Sequence, residues 1–320
     1  MPSRYVAPFL IGLCLLSTGC TEAPDPDATS ASESETAQEQ VPASIALDEA
    51  YLTSDRWDQD EAEFAFYEAT RTHTPYDEAD EHSFMVGSFT VKHRYDPDAQ
   101  TKATGEADGV SAFKSAHFYR FESGSYEYRR SYVSNVRQRT LRPMKQSFTS
   151  FDWCSNQYRE LAISDDDAVD YWMRSDDYGN DTGSFGYQTG GYTTAQMPLL
   201  IRSLDTDDRT EHLFYRMTAD GNYVRSQAAF IRTDSVTVPA GTYPAERITV
   251  TYEEPVPSMI AEHDVTRATY WRHTGTDRRL LRIQEQDDDA SYTMDLVEHL
   301  WSAYWSENLW DQVERVSERP

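Results

Sequence analysis

The chain has 320 residues, with 55 acidic against 29 basic side chains and a formal net charge of -26. That length holds one large domain or two ordinary ones. An aromatic share of 13% supplies enough apolar surface for a core, which excludes a wholly disordered chain. The charge excludes nucleic acid as a partner, because a polyanion is repelled and no basic patch opposes the repulsion. Lys is confined to Lys92, Lys102, Lys114 and Lys145, so nearly every cation is Arg, and such an acidic exterior suits a salty surrounding.

Taken in chain order, residues 1–19 read as a secretory signal. Arg4 gives a positive start, Val6 to Leu16 an apolar run too short to span a bilayer, and Ser17-Thr18-Gly19 a small-residue exit. Cys20 follows directly, so the segment resembles a bacterial lipoprotein signal, although Ser17 stands where leucine is usual and Leu16 lies one place further back. The resemblance implies cleavage before Cys20, a lipid on its thiol, and attachment to the membrane through that lipid. With Thr21 rather than Asp next, it implies the outer membrane, periplasmic face, with surface display as the alternative. Cys14 leaves with the signal, so the mature chain keeps Cys154 as its one free thiol and no intramolecular disulfide forms. Residues 20–47, rich in Pro, Ser, Ala and acids, are expected to be a disordered tether.

Residues 48–300 are expected to form one mainly β domain. Period-two alternation marks Phe84–Tyr95 (Met85, Phe89 and Val91 on one side, Ser88, Thr90 and Lys92 on the other), Tyr126–Tyr132, Arg247–Tyr252 and Tyr292–Leu296. Further strands are expected at 60–70, 112–121, 144–153, 168–174, 211–218, 223–232, 267–273 and 279–286, with turn residues between many of them. Residues 175–195 read as an exposed loop or an irregular edge hairpin. No strand–helix–strand rhythm is present, so the expected fold is a large, curved antiparallel sheet. Residues 301–320 place Trp301, Trp305, Leu309, Val313 and Val316 on one side of a helical projection, which predicts a C-terminal amphipathic helix over the sheet or its mouth.

Catalytic and metal motifs are sparse. The eight His show neither HExxH nor i, i+4 pairing. Asp176, Asp177, Asn180 and Asp181 offer oxygens in a Gly-bearing stretch, but their order is not that of an EF-hand loop. Asp165-Asp166-Asp167 and Asp287-Asp288-Asp289 read as hydrated turns. Gly183-Ser184-Phe185-Gly186 lacks the spacing of a nucleophile elbow, and Cys154 beside Trp153 reads as a small buried apolar residue. No phosphate cradle occurs, and no metal, cofactor or catalytic residue is assigned. The aromatic residues Trp153, Trp172, Tyr270, Trp271, Trp301 and Trp305 are the candidate ligand-binding surface, if the concave face is open; otherwise they fill the interior.

Two resemblances extend this reading. Thr233–Thr251 (TDSVTVPAGTYPAERITVT), with Tyr270-Trp271-Arg272 and the later strands, resembles a strand–turn–strand signature of periplasmic domains of unknown function, similar in architecture to the half-barrel lipoprotein carriers of the LolA and LolB type. Trp57 with Ala62–Tyr67, Tyr119–Tyr128, and Phe148–Leu161 with Trp153-Cys154, Tyr158 and Leu161 resemble an uncharacterised family of Bacteroidota lipoproteins, although Ser155 stands where Gly is usual. The label "septum formation inhibitor" attached to some members finds no nucleotide site here. The resemblances imply a lipoprotein and a LolA-like half-barrel, and no activity. The expected function is therefore a lipid-anchored envelope protein, without enzymatic activity, whose sheet binds an apolar or lipid-like ligand or an envelope partner. A structural module with a filled core and a hydrolase with a spatially assembled site are the alternatives.

Overall fold

The computed structural model describes residues 44–73, 82–105, 109–123, 126–152, 155–207, 210–260, 264–287 and 290–306. The expected signal and Cys20, Trp153-Cys154 and residues 307–320 lie outside the described residues.

Sixteen strands form one sheet. They are β1 (Ala62–His73), β2 (His82–Asp96), β3 (Thr101–Lys102), β4 (Val110–Ser123), β5 (Tyr126–Arg137), β6 (Pro143–Phe151), β7 (Asn156–Ile163), β8 (Ala168–Ser175), β9 (Gly179–Gly186), β10 (Gly191–Tyr192), β11 (Glu211–Met217), β12 (Tyr223–Val238), β13 (Gly241–Pro257), β14 (Asp264–His273), β15 (Leu280–Gln286) and β16 (Ala290–Ser302). Apart from β3, which pairs only with β2, the order runs from β10 through β16 to β1 and on to β9. Nearly every strand pairs with its chain neighbours, and the antiparallel β16–β1 ladder joins the two halves. The two edges, β9 and β10, are consecutive in the chain, so the curved sheet stays open along one seam.

Alternation explains the strands, and the inward face carries the main core. Ile248, Val250, Tyr270, Ile283 and Met294 are buried there. In β2 the faces are reversed from expectation. Ser88 and Thr90 face inward beside Pro198 and Leu199, while Phe89 belongs to a second cluster on the opposite face with Phe64 and Phe66. The ring of Tyr304 covers Phe64 and Phe89 at 5.8 and 5.1 Å, which is why an apolar row can sit on that side. The hairpin over Thr233–Thr251 forms as expected between β12 and β13, turning at Pro239-Ala240 with Gly241 at φ 133°.

Two corrections concern the ends of the domain. The chain joins the sheet at Ser44, which exchanges backbone hydrogen bonds with Leu213, so residues 44–47 belong to the domain rather than to the tether. The helix expected over 301–320 does not start at 301. Trp301 and Ser302 end β16 in register with Glu63 and Ala62, and 304–306 form a turn. Ladder bonds and the Trp301–Trp57 ring contact at 5.8 Å hold this stretch extended, outweighing its helical periodicity.

Two short helices block one end of the interior. Helix α1 (Glu49–Leu52) is capped by the Asp48 side chain, which accepts from the Tyr51 N–H at 3.0 Å. Helix α2 (Met197–Ser203) is buried along its whole length, an arrangement period-two reasoning did not anticipate. Such burial requires its polar groups to be met inside. Arg272 donates to the closing carbonyls of α2, those of Ile201, Arg202 and Leu204, at 3.1, 3.2 and 2.7 Å. Ser203 returns its hydroxyl to the Leu199 carbonyl at 2.8 Å. Among the described residues no helix is long and apolar enough to cross a membrane.

Candidate functional site

Above α2 the chain makes a 3-10 turn, Thr194–Gln196, that forms the floor of the remaining space. It is held from both sides. The Ala195 N–H donates to Gln146 Oε1 at 2.7 Å, His117 Nε2 faces the Ala195 carbonyl at 2.9 Å, and Gln196 Nε2 donates to the Leu141 carbonyl at 2.9 Å. Burial pushes His117 down to about 4, so its ring is neutral and donates from Nε2 to that carbonyl. Arg216 donates from below to the carbonyls of Thr193 and Pro257, each at 3.3 Å.

Over this floor opens a cleft of about 490 Å³. One wall comes from β5–β8, with Tyr132, Phe148, Leu161 and Met173. The other comes from the β11–β12 turn, Val224 and the β13–β14 end at Pro255 and Pro257. The cleft thus lies beside the seam where the sheet fails to close. Further along the seam, side chains shut it. The Tyr223 hydroxyl donates to the Gly186 carbonyl at 3.1 Å and accepts from the Gln188 N–H at 3.1 Å, beside the Phe185 ring at 6.2 Å. Gly221, at φ 88°, lies against that same ring. The volume falls within the ~300–1,000 Å³ typical of small-molecule sites, and an apolar wall with a few polar groups is their usual chemistry.

The walls are pre-set by packing. The rings of Tyr132 and Phe148 pack at 4.7 Å, tilted by 43° to one another. Burial pushes the Tyr132 hydroxyl up to about 12, against the opposing charges of Arg216, Arg159 and Arg130. Tyr171 donates to Asp181 Oδ2 at 3.2 Å, fixing the β8–β9 hairpin at the rim. Beneath, the buried carboxylate of Glu285 accepts from the Met259 N–H at 3.1 Å and from the Ser258 hydroxyl, so the β13–β14 end that borders the cleft is tied to β15. Burial raises the Glu285 carboxyl above its usual range; Ser258, Arg216 and the N–H groups of Met259 and Ile260 partly offset this.

Of the six candidate aromatic residues, Trp172 lines the cleft, and Tyr270, Trp271, Trp301 and Trp305 lie elsewhere. Trp153 lies outside the described residues. Tyr270 is 1% exposed in the core. Trp271 sits on the other face of β14 under Arg282, whose guanidinium is 5.8 Å from its ring. Trp301 packs at the blocked end against Trp57, and Trp305 is 59% exposed beside Tyr304. The residues missed by sequence reading are Tyr132, Phe148, Arg159, Tyr171 and Tyr178, which come together through the curvature of β5–β9. Alternation signals each strand but not which strands face one another across a seam. The acid stretch Asp176–Asp181 divides between the β8–β9 turn and β9, and among the described residues no group of His, Cys, Asp or Glu is placed to hold a metal.

No protein-family model matches the chain, and no curated protein matches it. Among solved structures it is similar to a β-barrel-like protein of a domain of unknown function, DUF1849, from Brucella abortus, with TM-score 0.48 and 8% identity over 76% of this chain and 98% of that one. It also matches a DUF1329 family protein from Desulfovibrio piger, with TM-score 0.23 and 11% identity over 81% of this chain and 94% of that one.

Proposed function

We propose that this protein is a membrane-attached envelope binding protein, held by a lipid on Cys20, whose cleft takes an apolar-bodied ligand. The observation that carries the reading is the cleft of about 490 Å³ left open above a fully buried helix and walled by Phe148, Leu161, Met173 and Val224. Apolar walls kept open to solvent are a cost unless something occupies them.

A second reading, an interaction module with a filled core, draws on α2, which occupies the opposite end of the interior. Titration of the full chain with a neutral fluorescent probe, N-phenylnaphthylamine, separates the two. Binding at one site, lost in Ala219→Trp, which fills the cleft, supports the ligand reading; equal binding by that variant, or none by the native chain, supports the filled module.

The N-terminal pattern supports attachment at the outer membrane, on the periplasmic face. A radiolabelled fatty acid fed to the cells should mark the native chain and not Cys20→Ser if this is right. Labelling of neither, or of both alike, rules out the lipid as its anchor.

A further inference from the structure

Among the described residues, one cation of the cleft stands apart. Arg159 alternates with the buried Leu161 on β7, so both face the same side, and register sets it opposite Phe148 and Met173. Elsewhere half-buried arginines hold carboxylates: Arg56 and Arg202 share Glu63, Arg142 holds Asp167, Arg278 holds Asp48 and Arg282 holds Asp295. In a chain with 55 acids, Arg159 holds none among the described residues. With the Gln157 amide oxygen turned toward it, its Nη2 and Nε donate there at 2.7 and 3.1 Å. That contact orients the guanidinium and leaves its charge uncompensated.

The carboxylates around the cleft are either engaged or placed at the mouth. Glu160 pairs with Lys145 at 2.8 Å, Asp181 accepts from Tyr171, and Asp220 accepts from Asn222 at 2.8 Å and from Thr218. Glu254 and Asp264 are exposed to solvent, where screening weakens their reach. Inside, Arg159 is the one basic side chain among the described residues that line the cleft.

We infer that the cleft receives an anionic amphiphile, its carboxylate or phosphate head on the Arg159 guanidinium and its apolar body along Phe148, Leu161, Met173 and Val224. The inference rests on reading the cleft as a binding site. A guanidinium takes an acidic head with two parallel hydrogen bonds, and the contact is strong where aromatic walls exclude water.

The test titrates the full chain with N-phenylnaphthylamine and displaces the probe with dodecanoate, dodecyl phosphate, dodecanol and dodecyltrimethylammonium, each below its micelle concentration. One or both of the anions are expected to displace it at about tenfold lower concentration than dodecanol, and which of the two does so identifies the head group. Arg159→Gln should erase that preference and leave dodecanol unchanged; Arg159→Lys should keep part of it, which separates charge from a folding defect. Equal displacement by anion and alcohol, preference for the ammonium compound, or an unaltered preference in Arg159→Gln overturns the inference while the binding site stands. Failure of the probe and of every amphiphile to bind overturns the site itself.

Discussion

Arg202 Nη2 donates to Glu63 Oε1 at 2.8 Å across a buried space between α2 and β1, and His299 Nε2 reaches the same oxygen at 2.8 Å. The Glu63 side chain is 3% exposed. Burial alone would push its carboxyl up, but Arg202, His299 and Arg56 hold it down at about 2. A carboxyl held below its usual 4.5 contributes stability above that pH and loses it as pH falls from 4.5 toward 2. Glu63→Gln leaves Arg202 buried without its counter-charge and should cost ~3–5 kcal/mol at neutral pH, read from urea midpoints. The variant should also lack the acid-linked loss between those two pH values.

Glu285 is the opposite case. Its carboxyl is raised by burial, so the folded state holds the proton more tightly than the unfolded chain, and stability declines as pH rises from the usual 4.5 upward. Glu285→Gln removes a buried charge that costs desolvation. Its penalty at pH 7 should therefore be smaller than that of Glu63→Gln, and stability of the variant should vary less between pH 5 and 8. A larger penalty would show that the donors Ser258 and Met259 outweigh desolvation at this carboxylate.

His117, pushed down to about 4 by burial, adds a third pH signature. The unfolded chain takes up a proton near 6.5 that the folded ring refuses, so stability falls as pH drops from 6.5 toward 4. His93, also pushed down to about 4, has the same sign. His117→Gln should reduce this slope in chemical denaturation across that window and leave the part due to His93.

Leu200 lies in the middle of α2 with no exposed surface. Leu200→Ala should lower stability by ~2–5 kcal/mol, since a cavity among packed strands cannot collapse. Calorimetry of the variant checks it.

Gly221 takes φ 88°, and a Cβ there would come 3.0 Å from the Phe185 ring. Gly221→Ala should cost ~1–2 kcal/mol from the left-handed backbone, with further loss unless the ring moves. Since the β11–β12 turn forms one wall of the cleft, the same variant should weaken binding of N-phenylnaphthylamine.

The strands were legible in the sequence because each has local alternation: β5, β8, β11 and β15 lie close to where their patterns place them. What escaped is set by other forces. In β2 the pattern is present but its apolar side is the outer one, since Ser88 and Thr90 look toward α2. The segment Met197-Pro-Leu-Leu-Ile-Arg-Ser carries a solid apolar run with no amphipathic signal, because a helix enclosed on every side needs none. By contrast β9, GNDTGSFG, forms the edge hairpin that was one of the two readings of 175–195; its strand propensity is weak and its ladder with β8 holds it. Trp172, which borders the cleft, stands out in the sequence by its size; Arg159 does not, because its significance lies in the missing partner rather than in its identity.

The nearest-neighbour order of the sheet bears on how the chain folds as it is made. Every long ladder except β1–β16 joins strands close in sequence, β2 and β4 being separated only by the two-residue β3, so each hairpin can zip as soon as its second half is available, at low loop-closure cost. The exception is β1 with β16, whose partners stand at opposite ends of the domain. One edge of β1 must wait for the last strand, so an incomplete chain presents an open ladder to whatever meets it. That interval is when misassembly between copies is most readily started, and a trap for it would be a synthetic peptide of the β16 sequence.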